Sequence, residues 1–268
     1  MGDTISTPRV VVLICTYNYA EYLEEALESA LKQIYPNFSI VIIDDCSTDN
    51  SWKIIYNKLF KTIPHESGTS NYDGIDYKYK IGKIGNIIVY GIQCESGPNG
   101  PSQARNIGID ATISDADFYC ILDADDVMYR NKIGILVSHM IQSKQIGVAY
   151  GDYDTLNTET GNVIRTFKEP FDRNRLLQEC IIHSGAMISK DALMTVKDNL
   201  GYYDKEMRTC EDYDLWIRIT EHFMGYHVPE PLTLVRIQPK NSTLTVDKSI
   251  WEQNWQRIAG KVRSRYGQ

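Results

Sequence analysis

The chain of 268 residues is 43% hydrophobic and 24% charged, a globular composition that excludes a disordered chain and is long enough to bury a core without disulfide or metal staples. Its 28 Lys and Arg stand against 35 Asp and Glu, and the net charge of −7 argues against a general nucleic-acid binder, which needs a basic face. At about 150 residues per domain, this length predicts one large domain or two small ones. No stretch approaches the ~18 apolar residues of a membrane span. The N-terminus has no basic segment leading into a long apolar one, so no secretory signal is expected. Cys15, Cys46, Cys94, Cys120, Cys180 and Cys210 form no CxxC pair and mostly lie in or beside apolar runs. They read as reduced thiols of a cytoplasmic protein.

Strand and helix signals alternate in the first half. Arg9 to Cys15 is a β-branched run of the kind buried on both faces of a sheet. Tyr22, Leu23, Ala26, Leu27, Ala30, Leu31 and Ile34 then recur at helical spacing up to Pro36. Ser39 to Ile43 predicts a second buried strand ending at Asp44-Asp45, and Ser47-Thr48-Asp49 offers caps for a helix through Trp52, Ile55 and Leu59. Residues 62 to 85, rich in Gly, Ser, Asn, Asp, Tyr and Lys, read as a surface insertion. Ile87 to Ile92 resumes as a strand, Gln103 to Ala111 as a helix and Phe118 to Leu122 as a strand. Four β/α units in order imply an open parallel sheet, whose ligands bind beyond the carboxyl ends of the strands. In the second half, Val148 to Leu156 and Asn162 to Lys168 predict a hairpin around Glu159-Thr160-Gly161. Cys180 to Ser189 reads as a strand, Glu211 to His222 as a helix and Leu232 to Ile237 as a strand.

The acids cluster where this pattern places strand ends. Asp123-Ala124-Asp125-Asp126 follows the strand at Phe118 to Leu122. Such carboxylates repel one another unless a cation lies among them, and hard oxygen ligands suit Mg2+ or Mn2+ bridging to a diphosphate. The alternative is a surface turn in which Asp125 or Asp126 caps the next helix. Asp44-Asp45 either accepts hydrogen bonds from a nucleobase or ribose or caps a helix. Asp212, in the segment EDYDLWIRI, points towards the same side as Leu215 and Trp216. It is either a partner of the helix dipole or a cavity-facing carboxylate with a raised pKa.

Taken together with Cys15-Thr16-Tyr17-Asn18 and the run from Asn99 to Asn106, these clusters give an ordered set. Through VVLICTYNYAEYLEEALESALKQ, VIIDDCSTDNS, GPSQARNIGI, LDADD and EDYDLWIRI, roughly residues 9 to 240 resemble the glycosyltransferase family 2 enzymes. The resemblance implies a GT-A, Rossmann-like α/β fold: an open mixed sheet, mostly parallel, flanked by helices in a single continuous domain. The domain would span 1–240, with a nucleotide-binding half at about 1–126, an acceptor-binding half at about 127–240, and a helical tail at 241–268.

By match to the family, Thr16, Tyr17, Asn18, Asp44 and Asp45 would hold the base and ribose of a sugar nucleotide. The donor would be a UDP-sugar if Asp45 reads an N–H on the ring. Arg105 and Asn106 border the same pocket, and pairing of Arg105 with a neighbouring acid remains the other reading. Asp123, Asp125 and Asp126 match the motif for Mn2+ or Mg2+, with Asp125 also facing the ribose. Asp212 matches the general base and Glu211 its partner, and a single displacement would invert the anomeric centre. His183 is either a metal, diphosphate or acceptor contact or a satisfied core histidine. Arg236 lies where a basic residue closes over the donor, although the family's following histidine is replaced by Gln238-Pro239. Trp216 is a further acceptor-side candidate.

The acceptor would be a glycan or glycoconjugate. The tail carries Trp251, Trp255, Ile258 and Val262 at helical spacing among Arg257, Lys261, Arg263 and Arg265. It would either dock peripherally on a membrane or anionic acceptor or pack on its own domain. A sugar-nucleotide nucleotidyltransferase is the main alternative enzyme. That chemistry wants a glycine- and lysine-rich loop after the first strand, and this chain has none there. A non-catalytic sugar-nucleotide-binding module is the other alternative.

Overall fold

The computed structural model describes residues 7–239 and 241–266, so the N-terminal six residues and the last two of the predicted tail lie outside the described residues. Chain order runs β1 (Val10–Thr16), α1 (Ala20–Leu31), β2 (Phe38–Asp44) and α2 (Ser51–Leu59), then β3 (His65–Tyr72), β4 (Ile75–Ile84), β5 (Ile87–Cys94) and α3 (Pro101–Thr112). Next come β6 (Phe118–Asp123), β7 (Val127–Met128), α4 (Lys132–Met140), β8 (Ile146–Asn157), β9 (Val163–Thr166) and α5 (Arg173–Leu176). The last elements are β10 (Met187–Ser189), α6 (Lys190–Val196), α7 (Glu211–Ile219), β11 (Met224–Ile237), α8 (Ser242–Thr245) and α9 (Lys248–Tyr266).

One sheet runs β3-β4-β5-β2-β1-β6-β10-β8-β11-β7, with β9 added alongside β8. The expected parallel arrangement holds for the central block β5-β2-β1-β6. Towards both edges the pairings are antiparallel, apart from β8 with β11. The sheet therefore crosses from one predicted half to the other without a break. The central strands are buried on both faces. Val11, Leu13, Val41 and Ile43 pack on one side with α3 and α7, while Val10, Val12, Ile14, Ile40 and Ile42 pack on the other with α1, α2 and α4. This two-sided burial explains why their sequences read as continuous apolar runs rather than alternating ones.

Three expectations are refined. The surface insertion at residues 62 to 85 is structured: β3 and β4 form a hairpin that extends the sheet, in register from His65↔Gly82 to Tyr72↔Ile75. Its turn is Asp73-Gly74, both with positive φ (49° and 84°), which is the two-residue turn whose twist matches paired strands. Of the predicted strand at Cys180 to Ser189, only Met187–Ser189 pairs, and the preceding residues turn into the crevice. β11 begins at Met224 rather than Leu232, passing Pro229 and Pro231 through register shifts against β8. The two prolines interrupt the apolar pattern without ending the strand.

Among the described residues, no helix is long and apolar enough to cross a membrane. The tail forms α9 and packs on its own domain: Ile258 lies in the core, with Trp251 and Val262 against it. Arg257, Lys261 and Arg265 pair with Asp204, Asp214 and Glu221, so the basic face is largely spent internally rather than presented to an anionic surface.

Candidate active site

The site forms where β2, β1 and β6 end side by side. Thr16 is in register with Asp44, and Cys15 with Asp123, so the first two acid clusters border one crevice. Thr16 and Asp44 are buried, yet Thr16 Oγ1 and Asp44 Oδ2 have no hydrogen-bond partner among the described residues. Burial raises the pKa of Asp44. Two orphaned oxygens on neighbouring strand ends fit a polar ligand, because leaving such groups unpaired is costly. Tyr17 leaves its ring 39% exposed at the same edge, free to stack.

Asn18 and Asp45 have other duties. Asn18 holds a left-handed conformation (φ 60°), and its Oδ1 accepts from Thr48 N, Thr48 Oγ1 and Asp49 N at 2.8, 3.3 and 3.2 Å, which ties the turn after β1 to the turn after β2. Asp45 accepts from Asn99 N and Nδ2 (both 2.8 Å) and Gly100 N (2.8 Å), fixing the entry to α3. Asp45 thus already holds Asn99 and Gly100 at the entry to α3, while Asp44 Oδ2 has no partner among the described residues. Asn106 is engaged as well. It is fully buried, with Nδ2 donating to Tyr203 O and Oδ1 accepting from Tyr203 N, each at 2.8 Å.

The loop from Asp123 to Asp126 is held from three directions. Asp123 accepts from Arg105 NH2 at 3.1 Å and Ser184 Oγ at 2.9 Å. Burial pushes its pKa up, but Arg105, Ser184 and His183 outweigh it and hold the carboxyl below the usual range. Asp125 Oδ2 accepts from Gln238 Nε2 and Asn241 Nδ2, both at 3.1 Å. Asp126 Oδ1 accepts from Arg236 N at 3.0 Å. Burial and then the neighbouring carboxylates push Asp125 up and Asp126 well up.

Arg236 is buried. It donates to Asp125 O, pairs with Glu25 and lies 5.3 Å from the Tyr22 ring, so it supports this loop from beneath instead of closing over a donor. Gln238 and Asn241 were not singled out as site residues. The only trace of them in the sequence is the glutamine in the family's histidine position.

α7 carries the third cluster. Arg105, from α3, joins it to the second: NH1 donates to Glu211 Oε1 at 2.5 Å while NH2 reaches Asp123. Arg105 is 6% exposed, so this is a buried fork between two carboxylates, not a free charge for a phosphate. Asp212 lies beside that fork, with Oδ1 accepting, among the described residues, only from its neighbour Tyr213 N at 2.8 Å. Burial first, and then the Glu211 carboxylate, raise its pKa to about 7. A carboxyl of this kind exchanges protons near neutrality, as a general base requires.

His183 stacks on Tyr153 at 4.6 Å and accepts from Gly185 N at Nδ1 (3.0 Å). Burial and the Lys132 charge lower its pKa to about 3, so the imidazole is neutral, and with Nδ1 accepting, its ring proton lies on Nε2, which is a donor. Lys132 itself is buried, with Nζ on Thr233 Oγ1 at 2.9 Å. Its place in the apolar stripe Lys132, Ile133, Leu136, Val137 and Met140 was the signal available in the sequence. Trp216 is corrected from acceptor contact to core: it is 0% exposed within the cluster behind α7. Trp216→Ala is accordingly expected to lower stability by about 3–5 kcal/mol in urea unfolding, a loss too large for an acceptor-facing side chain.

Among the described residues, no three His, Cys, Asp or Glu side chains converge as a closed metal cage. Mg2+ and Mn2+ need only one or two carboxylates plus substrate phosphates. Asp125 and Asp126, raised by burial first and then by the neighbouring carboxylates, fit such an open site, and His183 lies close enough to Asp123 for their charges to interact.

A family model described as Glycosyl transferase family 2 matches residues 11–69 and 89–196, more than half of the chain. An uncharacterised glycosyltransferase of Rickettsia typhi is 26% identical over 98% of this chain and 75% of its own length. Glycosyltransferase GlyG of Streptococcus pneumoniae is 28% identical over 57% of this chain and 42% of its own. Among solved structures, S. aureus TarS 1-349 in complex with UDP-GlcNAc superposes with TM-score 0.68 at 18% identity, covering 95% of this chain and 66% of that one. A mannosyltransferase of Pyrobaculum calidifontis in complex with GDP-Man and Mn2+ gives TM-score 0.59 at 17% identity over 88% of this chain and 59% of that one. The chain thus spans about two thirds or less of these two structural relatives, and they share its fold.

Proposed function

Because the chain belongs to glycosyl transferase family 2, we propose that it transfers a sugar, with inversion, from a UDP-sugar to a hydroxyl of a glycan or glycoconjugate. The observation that carries this reading is the buried Arg105 fork, which fixes a base-competent Asp212 beside the acid loop after β6. Binding of UDP or UDP-GlcNAc by structural relatives supports the choice of donor.

Tyr17 stacks on the base, while Asp44 Oδ2 and Thr16 Oγ1 accept the polar edges of base and ribose. Asp125 and Asp126 would hold a divalent cation, with His183 as a third ligand once its ring proton sits on Nδ1, and the cation would supply charge neutralisation for a departing nucleoside diphosphate. Mn2+ alongside GDP-Man in one structural relative and alongside UDP in another supports that cofactor. Asp212 takes the proton from the acceptor hydroxyl as its oxygen attacks the anomeric carbon opposite the leaving group. A single displacement needs no second nucleophilic carboxylate. The six free thiols support a cytoplasmic enzyme.

A thermal-shift titration with UDP, Mn2+ and both tests the reading. Together at ~100 times their dissociation constants they are expected to raise Tm by roughly 5 °C, more than the sum of the separate shifts. Tighter binding of a nucleoside triphosphate with pyrophosphate release would favour nucleotidyl transfer instead. Donor binding without hydrolysis or transfer would favour a non-catalytic module.

A further inference from the structure

We propose that Lys261, in the C-terminal helix α9, is a positioning residue that fixes the first turn of α7 and with it Asp212. The inference rests on the base role proposed above.

The N-terminus of α7 lacks the usual means of anchoring a helix start. Its N-cap, Cys210, is left-handed (φ 57°) and makes no side-chain capping bond. The first turn instead carries three acids, Glu211, Asp212 and Asp214, of which two are held from the side. Arg105 grips Glu211. Asp214, two residues beyond Asp212 and 2% exposed in its side chain, receives Arg218 Nε at 2.8 Å from its own helix and Lys261 Nζ at 2.7 Å from α9. Asp212 thus lies between a residue bolted to α3 and a residue bolted to α9.

The same Lys261 ammonium also reaches Asp204 Oδ2 at 2.6 Å, on the loop that leads into α7. Asp204 is buried, and its side-chain cations are Lys261 and Arg257, the latter at 2.6 Å. Burial pushes Asp204 up, yet these cations hold its carboxyl below the usual range. Asn254 Nδ2 donates to Thr209 Oγ1 at 2.8 Å, and Trp255 packs on Tyr213 at 5.1 Å. One lysine therefore links loop, helix and tail, and removing it takes away the cation that the two buried acids share, leaving Asp204 to Arg257 and Asp214 to Arg218 with nothing tying one to the other. Arg265, further along α9, pairs with Glu221 beyond the far end of α7 and serves as the internal control.

Hydrogen exchange and steady-state kinetics on the full chain test this, with Lys261→Met, Lys261→Arg and Arg265→Gln compared. In Lys261→Met, amide exchange across residues 204–216 is expected to rise ~10-fold or more. Turnover of UDP-sugar is expected to fall ~10-fold with donor KM within about twofold, because the nucleotide pocket lies on other elements. Lys261→Arg should restore both readouts, and Arg265→Gln should leave both unchanged. Unaltered exchange in Lys261→Met, or an equal loss of kcat in Arg265→Gln, would overturn the proposal. If Lys261→Met does not fold, Lys261→Met/Asp204→Asn removes the loop carboxylate that has lost one of its two cations and carries the same readouts. If the wild type turns over no sugar nucleotide, the proposed function fails, while exchange at 204–216 still decides whether Lys261 fixes α7.

Discussion

Replacing Asp212 by Asn is expected to lower sugar transfer ~10³-fold or more while leaving UDP affinity within about twofold of wild type. The amide keeps the shape and can still accept from Tyr213 N, but it cannot take a proton from the acceptor hydroxyl. The pH profile makes the test sharper. With Asp212 raised to about 7, chiefly by burial, wild-type kcat should fall as pH drops through that region, and the residual activity of Asp212→Asn should lack that limb. Stability moves in the opposite sense. The folded carboxyl holds its proton more tightly than the unfolded one, so the stability it contributes is present at low pH and is lost as pH rises towards about 7. Asp212→Asn should therefore melt no lower than wild type at pH 8. Near-normal turnover in the variant, or a marked fall in its Tm at pH 8, would remove Asp212 from the role of base.

The contrast between Asp212 and Asp45 shows what the sequence could carry. Both are acids at predicted element ends, and the periodicity of β1, β2, β6 and α7 placed them on the correct side of the sheet. Pattern reports which end of an element a residue occupies. It does not report whether a carboxylate is already satisfied, since that depends on contacts between segments far apart in the chain. Asp45 is taken by Asn99 and Gly100, 54 and 55 residues away, and Asn106 by Tyr203, 97 residues away. Arg236, 110 residues from Asp126, reads locally as a basic residue after a strand and becomes a strut in three dimensions. Trp216 failed for a related reason: helical spacing identifies a buried stripe, and a buried stripe faces core more often than crevice. The Asp-Gly turn of the β3–β4 hairpin is a strong signal in the sequence, but the polar composition of its flanks masked the two strands, of which β3 lies at the sheet edge.

The net charge of −7 acquires a structural meaning through the same contacts. Asp123, Asp125, Asp126, Glu211 and Asp212 border one crevice, where Arg105 forks between Asp123 and Glu211, whereas Arg236 meets the loop through its backbone N on Asp126 and its guanidinium on Asp125 O. Burial, and then the neighbouring carboxylates, push Asp125 and Asp126 up. In the proposed function, a divalent cation arriving with a nucleoside diphosphate would offset these charges.

Arg105→Met follows as the most damaging single change expected in the site. It keeps much of the stem but strands Glu211 and Asp123 as unpaired carboxylates in a buried setting, with an expected loss of about 3–5 kcal/mol in urea unfolding. Transfer should fall with it, because the same guanidinium aligns α7 with the loop after β6. Arg105→Lys should recover part of the stability and little of the activity: an ammonium is a point charge and cannot span both carboxylates as a planar fork does. The combined variant Arg105→Met/Glu211→Gln separates the two effects. Neutralising Glu211 removes a bared charge and should restore a large share of the lost stability, while Asp212 loses the partner that fixed its helix to the acid loop, so kcat should stay low. If the double variant regained activity in step with stability, Arg105 would be a folding residue only, and the link between base and acid loop would play no part in transfer.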